Sequence, residues 1–110
     1  MRVSELKEKL SAEIKAGANG ADNEIKGCYI GDLLSLAMSK VDEGYAWITI
    51  QTNINIVAVA TLSDAGCIII PDGFVPDENT AEKADTEGIP ILICDKSAYD
   101  IAKILSSLGV

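Results

Sequence analysis

The sequence predicts a three-layer α/β/α domain whose sheet is mainly parallel. Three observations carry this expectation. "WITI" (47–50), "CIII" (67–70) and "ILIC" (91–94) are apolar without alternation, the pattern of strands buried on both faces. Each is followed by a polar turn and then by a segment with helical signals, the alternation that lays helices over parallel strands. Hydrophobic residues are 48% of the 110, enough for one domain, residues 1–110, with a core on each side of its sheet.

The elements are expected in this order. Ser4 caps a short helix, with Glu5 in its first turn and Leu6 and Leu10 one turn apart. "AEIKA" (12–16) alternates like a half-exposed strand, and "GANGADN" (17–23) is a loop by composition. "EIKGCYI" (24–30) is a strand interrupted by Gly27. These first two strands complete the sheet, with an antiparallel pair as one arrangement. Asp32 caps a helix that runs to Lys40, and "DEG" (42–44) turns the chain. Strand 46–50 leads to helix 54–64, with Gly66 as its helix-ending, positive-φ residue. Strand 67–70 leads through "PDGFVP" to a helix over 78–87, capped by Asp77 and ended by Gly88. Strand 90–94 leads to Ser97, which caps a helix over 98–108 that Gly109 ends.

Helix 54–64 is apolar nearly all round: Ile54, Ile56, Val57, Ala58, Val59, Ala60 and Leu62 leave little polar face. A helix on one side of a sheet needs only an apolar stripe. Its outer side, with Val59 on it, therefore needs a cover. A second helix of the domain would serve, and so would a second copy of the chain. A homodimer through helix 54–64 is the partner expected here.

Charge and composition exclude several functions. Asp and Glu number 17 against 9 Lys and Arg, a net charge of −8, which argues against nucleic acid and against an anionic membrane surface. No stretch approaches a membrane span, and "MRVSELKEKL" has no signal-peptide core, so a cytoplasmic location is expected. The chain has no histidine, which removes Ser-His-Asp triads, Cys-His pairs and imidazole metal ligands together. Cys28, Cys67 and Cys94 are scattered, with no Cys-x-x-Cys, and read as buried reduced thiols rather than a metal site. No Gly-x-Gly-x-x-Gly or phosphate-loop pattern is present. No cofactor and no metal are expected.

In parallel sheets ligands sit beyond the carboxyl ends of the strands. Four polar segments fall there: Gly31-Asp32, Gln51-Thr52-Asn53, Asp72-Gly73 and Asp95-Lys96-Ser97. Asp32, Asn53 and Ser97 double as helix caps, whereas Gln51 and Thr52 have no such duty. The candidate ligand site is therefore Asp32, Gln51, Thr52, Asn53, Lys96 and Ser97, for a small anionic or polar molecule. Lys96 is the one cation placed at that edge. Asp32, Asp72 and Asp95 are the carboxylates that a Mg²⁺-dependent phosphoryl-transfer enzyme, an alternative reading, would use.

"GCYIGDLLSLAMSK", "AWITIQTNINIVAVATLSDAGCIII" and "PDENTAEKADTEGIPIL" together resemble the DRTGG domain from about Ile25 to Leu108. They resemble most the small stand-alone DRTGG proteins of anaerobic bacteria and archaea, often encoded beside iron-hydrogenase or serine-kinase-like genes. The most specific pieces are Trp47 to Thr52 with Asn55 to Ala60, and the "DLLS" of Asp32 to Ser35. The resemblance implies a fold similar to the N-terminal domain of HPr kinase/phosphorylase. It implies a non-catalytic regulatory or ligand-sensing module, of the kind found inside phosphotransacetylases and beside CBS domains. It also raises an alternative, an accessory or scaffold protein of a hydrogenase-type redox complex. The name-giving Asp-Arg-Thr-Gly-Gly is absent. The corresponding turn is Gln51 to Asn55, with asparagine at 53 where the resemblance implies histidine in many relatives, so a role needing Arg or His there is not expected to transfer.

Overall fold

A computed structural model describes residues 1–110. Five strands form one sheet in the order β1-β5-β4-β3-β2. They are β1 (Glu13–Ala16), β2 (Gly27–Ile30), β3 (Tyr45–Ile48), β4 (Cys67–Ile70) and β5 (Ile91–Ile93). The helices are α1 (Val3–Leu10), α2 (Leu34–Lys40), α3 (Asn55–Ser63), α4 (Glu78–Glu87) and α5 (Ala98–Ser107). Strands β2 to β5 are parallel and in chain order. The three crossover helices α2, α3 and α4 share one face, where one handedness of connection puts them. Helices α1 and α5 cover the other face.

The unbroken apolar runs follow from this layering. Along β3, Trp47 faces α3 while Ala46 and Ile48 face α1 and α5; along β4, Ile68 and Ile70 face one layer, Cys67 and Ile69 the other. Period-two side chains meet a core on either side, so neither set is polar. No helix is long and apolar enough to cross a membrane.

Several local expectations change. The first helix begins two residues earlier than a Ser4 cap allows, with Arg2 in the cap position, and Glu5 Oε1 accepts from the Arg2 amide at 3.1 Å. The first two strands complete the sheet at opposite edges instead of pairing. β2 runs parallel to β3, and β1 runs antiparallel to β5. Close approach fixes the second edge: a Cβ on Gly17 would collide with the Ile89 carbonyl, and one on Gly20 would lie 2.8 Å from the Pro90 ring. Helix α3 ends on Asp64, at φ 56°, not on Gly66. Gly66 is required for space, since a Cβ there would lie 2.7 Å from Ile25 Cδ1. Asp77 and Ser97 stand in their cap positions. Ser97 Oγ accepts from the Asp100 amide at 3.1 Å, whereas Asp77 accepts no capping bond.

Helix α3 lies between α2 and α4, which accounts for most of its apolar surface. Ile56, Val57, Val59 and Ala60 are buried. Val59 is 5% exposed, so it faces the core and not outward as expected. Leu62, at 74% exposed, is the outward apolar residue.

All three cysteines are free, with Cys67 and Cys94 buried and Cys28 partly so. Burial pushes the Cys28 thiol from 9.0 up to about 11. Burial, with a smaller contribution from Cys28, raises Cys67 as well. A raised thiol pKa in the fold means that the native state keeps protons that the unfolded chain loses. The thiols therefore leave stability unchanged below pH 9.0 and lower it as pH climbs from 9.0 toward about 11. The thiolate fraction sets alkylation rate. At pH 8 Cys28 should react about a hundredfold more slowly in native protein than in denaturant, as two pKa units imply. Equal rates measured by mass spectrometry would contradict this placement of Cys28.

Candidate functional site

The site is built where β2 and β3 end. Gly31 extends the ladder, donating its amide to the Ile48 carbonyl at 3.1 Å. Its own carbonyl accepts from Trp47 Nε1 at 2.9 Å, which satisfies the one polar atom of a fully buried indole. A Cβ on Gly31 would lie 2.8 Å from the Tyr29 ring, so glycine leaves room for that ring at the end of β2. The next residue, Asp32, is thereby aimed back across the sheet.

Asp32 is not the helix cap expected of it. Leu33 occupies that position without a side-chain bond. Asp32 Oδ1 instead accepts from Thr49 Oγ1 and from the Ile50 amide, both at 2.9 Å. Thr49 Oγ1 in turn accepts from the Gln51 amide at 3.2 Å. Gln51 Nε2 donates to the Asp32 carbonyl at 3.0 Å, closing the loop between the two strand ends. Asn53 Nδ2 donates to Gln51 Oε1 at 3.0 Å, and Asn53 Oδ1 accepts from the Asn55 amide at 2.9 Å. Ile54 already has helical dihedral angles, so Asn53 serves as the N-terminal cap of α3. The Thr52 carbonyl accepts from the Asp77 amide at 3.0 Å and from Thr80 Oγ1 at 2.8 Å.

The structure thus brings Asp32, Gln51 and Asn53 into one hydrogen-bonded network and ties the Thr52 carbonyl to the start of α4 instead. It does not bring Lys96 there. Lys96 Nζ donates to the Leu10 carbonyl at 2.9 Å, where a cation also offsets the negative end of α1. Ser97 caps α5, one residue before Ala98, which reaches the site.

Beside the network lies a cleft of about 150 Å³. Ile30, Ile48, Ile50 and Pro71 give it apolar walls, Ala98 meets it from α5, and Asp32, Thr49 and Asp72 complete its lining. No cation lines it. Asp95 lines a separate cleft of about 230 Å³ with Ser11, Glu13 and Gly73. Asp32, Asp72 and Asp95 therefore do not converge, and no three Asp, Glu or Cys side chains come together to hold a metal ion.

Sequence reasoning missed Thr49 and Thr80. They are the two polar side chains buried in the fold, and both bond to this segment. The signal for Thr49 was present: a hydroxyl inside the aliphatic run "WITI", with an aspartate at the end of the preceding strand. Thr80 had no such signal, because its partner is a carbonyl 28 residues away.

The fold is similar to a crystal structure of the CBS and DRTGG domains of the regulatory region of Clostridium perfringens pyrophosphatase, complexed with the activator diadenosine tetraphosphate. The TM-score is 0.75 and the sequence identity 15%, over 94% of this chain and 45% of that one. The likeness is therefore one of fold, and this chain spans less than half the length of its neighbour. No curated protein matches the sequence. The DRTGG domain profile matches residues 5–108, nearly the whole length, and the chain belongs to the DRTGG domain family.

Proposed function

We propose that this chain is a regulatory module that senses a small molecule in the cleft between β2, β3 and β4. The observation that carries the reading is the Asp32–Thr49–Gln51–Asn53 network beside an apolar cleft, at the sheet edge where parallel folds bind ligands. The regulatory setting of the similar pyrophosphatase region supports the same reading.

The lining decides which ligand chemistry fits. Asp32 and Asp72 line the cleft and no Lys or Arg does, and Lys96, the cation expected at this edge, is engaged with Leu10. Phosphate oxygens would be repelled there. The ligand fits as a polar molecule that offers hydrogen-bond donors to Asp32 and Asp72 and an apolar surface to Ile30 and Ile50. A nucleotide would seat its base or ribose in the cleft and keep its phosphates outside. This keeps the polar half of the expected ligand class and drops the anionic half.

Asp72 separates the two. Its side chain makes no hydrogen bond within the chain, and its φ of 61° is one that asparagine tolerates. Asp72→Asn should change ligand-free stability by less than about 0.5 kcal/mol. Thermal unfolding with adenosine, adenosine phosphates and diadenosine tetraphosphate is the assay. A ligand at a hundredfold excess over its Kd adds about 2.7 kcal/mol of stability. The reading expects that gain to shrink in Asp72→Asn. A gain that grows would show an anion at the carboxylates and overturn it.

The module acts as a homodimer, with a second copy covering the outer side of α2 and α3. Leu33, Leu36, Met38, Ile54 and Leu62 are exposed along this side, and neither helix contains an Asp or Glu. In a chain of net charge −8, a face without acidic residues is where two copies meet with least repulsion. Leu62→Lys should leave the fold intact and halve the mass seen by light scattering. An unmodified protein that is monomeric at high micromolar concentration would remove the dimer.

A further inference from the structure

The five residues 49–53 are gripped at both ends by the two polar side chains that the core encloses. Thr49, 1% exposed, donates to Asp32 Oδ1; Thr80, 0% exposed, donates to the Thr52 carbonyl. Between these grips the contacts are continuous. The Ile50 amide bonds to Asp32, the Gln51 amide to Thr49, Asn53 to Gln51, and the Asn55 amide to Asn53. A buried hydroxyl or carbonyl that loses its partner pays the full cost of an unmade hydrogen bond. The segment therefore holds one arrangement or gives up several bonds together.

Past the amide of Thr49, which donates to the Ile69 carbonyl, the segment has no strand ladder of its own. Its position is set by Asp32 on one side and by the start of α4 on the other. The Asp77 amide and Thr80, in the cap position and first turn of α4, both depend on where the Thr52 carbonyl points.

The geometry points to residues 49–53 as a coupler that joins the cleft carboxylate Asp32 to the start of α4, so that events at Asp32 tighten or loosen that helix. A cleft occupant that donates to Asp32 Oδ2 pulls on the same carboxylate that Thr49 and Ile50 hold through Oδ1. Loosening at Thr49 then turns the Thr52 carbonyl away from Asp77 and Thr80. Coupling is reciprocal, so a change at Thr80 must also be felt at Ile50 and Gln51. The tie exists in the ligand-free chain, so this inference does not depend on the identity or the presence of a ligand.

Site-resolved amide hydrogen exchange on the full, ligand-free chain tests it. Ile50 and Gln51 report one end and Asp77 the other. Ile68, bonded to the Pro90 carbonyl, and Cys94, bonded to the Ile70 carbonyl, are controls. Asp32→Ala should speed exchange at Asp77 by about fivefold or more, the low end of ordinary coupling between sites. Asp32→Asn, which keeps an acceptor oxygen, should restore most of the protection. Thr80→Val should speed exchange at Ile50 and Gln51 by a similar factor, with both controls unmoved. If Asp32→Ala does not fold, Thr80→Val decides the matter alone. Asp77 unchanged in Asp32→Ala, Ile50 and Gln51 unchanged in Thr80→Val, or an equal rise at the controls would each overturn the coupler.

Discussion

A sheet that is apolar on both faces leaves its strand ends with a problem. Where β3 stops pairing, its backbone groups lose their ladder partners beside a core that holds almost no polar ones. The fold enclosed two hydroxyls to meet that need, Thr49 and Thr80, and no buried side-chain polar atom is left without a partner. Unsatisfied groups at such a place would cost about 1–3 kcal/mol each. The path of residues 49–53, the direction of Asp32, the start of α3 and the start of α4 all follow from how those bonds are made.

This constraint also shapes the cleft. Asp32, though exposed, reaches across to the end of β3 because Thr49 and Ile50 need an acceptor, and it joins the lining of the cleft as a consequence. Gly31 and Trp47 make that turn possible, one by leaving room and the other by holding the carbonyl just before it. The same economy disposes of Lys96, which is drawn to the end of α1 and leaves the edge without a free cation. The edge that results has aspartates and no free cation, in a chain of net charge −8.

The layers of the fold were legible in the sequence because burial on both faces writes itself into β3, β4 and β5 as runs without alternation. The edges were not. β1 and β2 are short, and which strand each one joins depends on tight contacts such as Gly17 against Ile89, which no local pattern records. The site was half legible. Asp32, Gln51 and Asn53 stood out because polar residues gathered at a strand end. Their roles did not, because an aspartate before a helix can accept amide bonds either from that helix or from across the sheet. Val59 was misplaced outward because α3 sits between two helices, and its own sequence cannot show the second neighbour. Lys96 was assigned to the edge by position along the chain, and its long stem carried the charge elsewhere.

The central claim is that Thr49 and Thr80 hold one structural unit from opposite ends. A double-mutant cycle on unfolding free energy, with Thr49→Val, Thr80→Val and the pair, measures this most directly. The account predicts that the pair is less destabilised than the sum of the singles, with an interaction of about 0.5–3 kcal/mol. Once either grip is lost, the segment gives up much of what the other secured. Additivity within about 0.3–0.5 kcal/mol, the behaviour of independent sites, would contradict it.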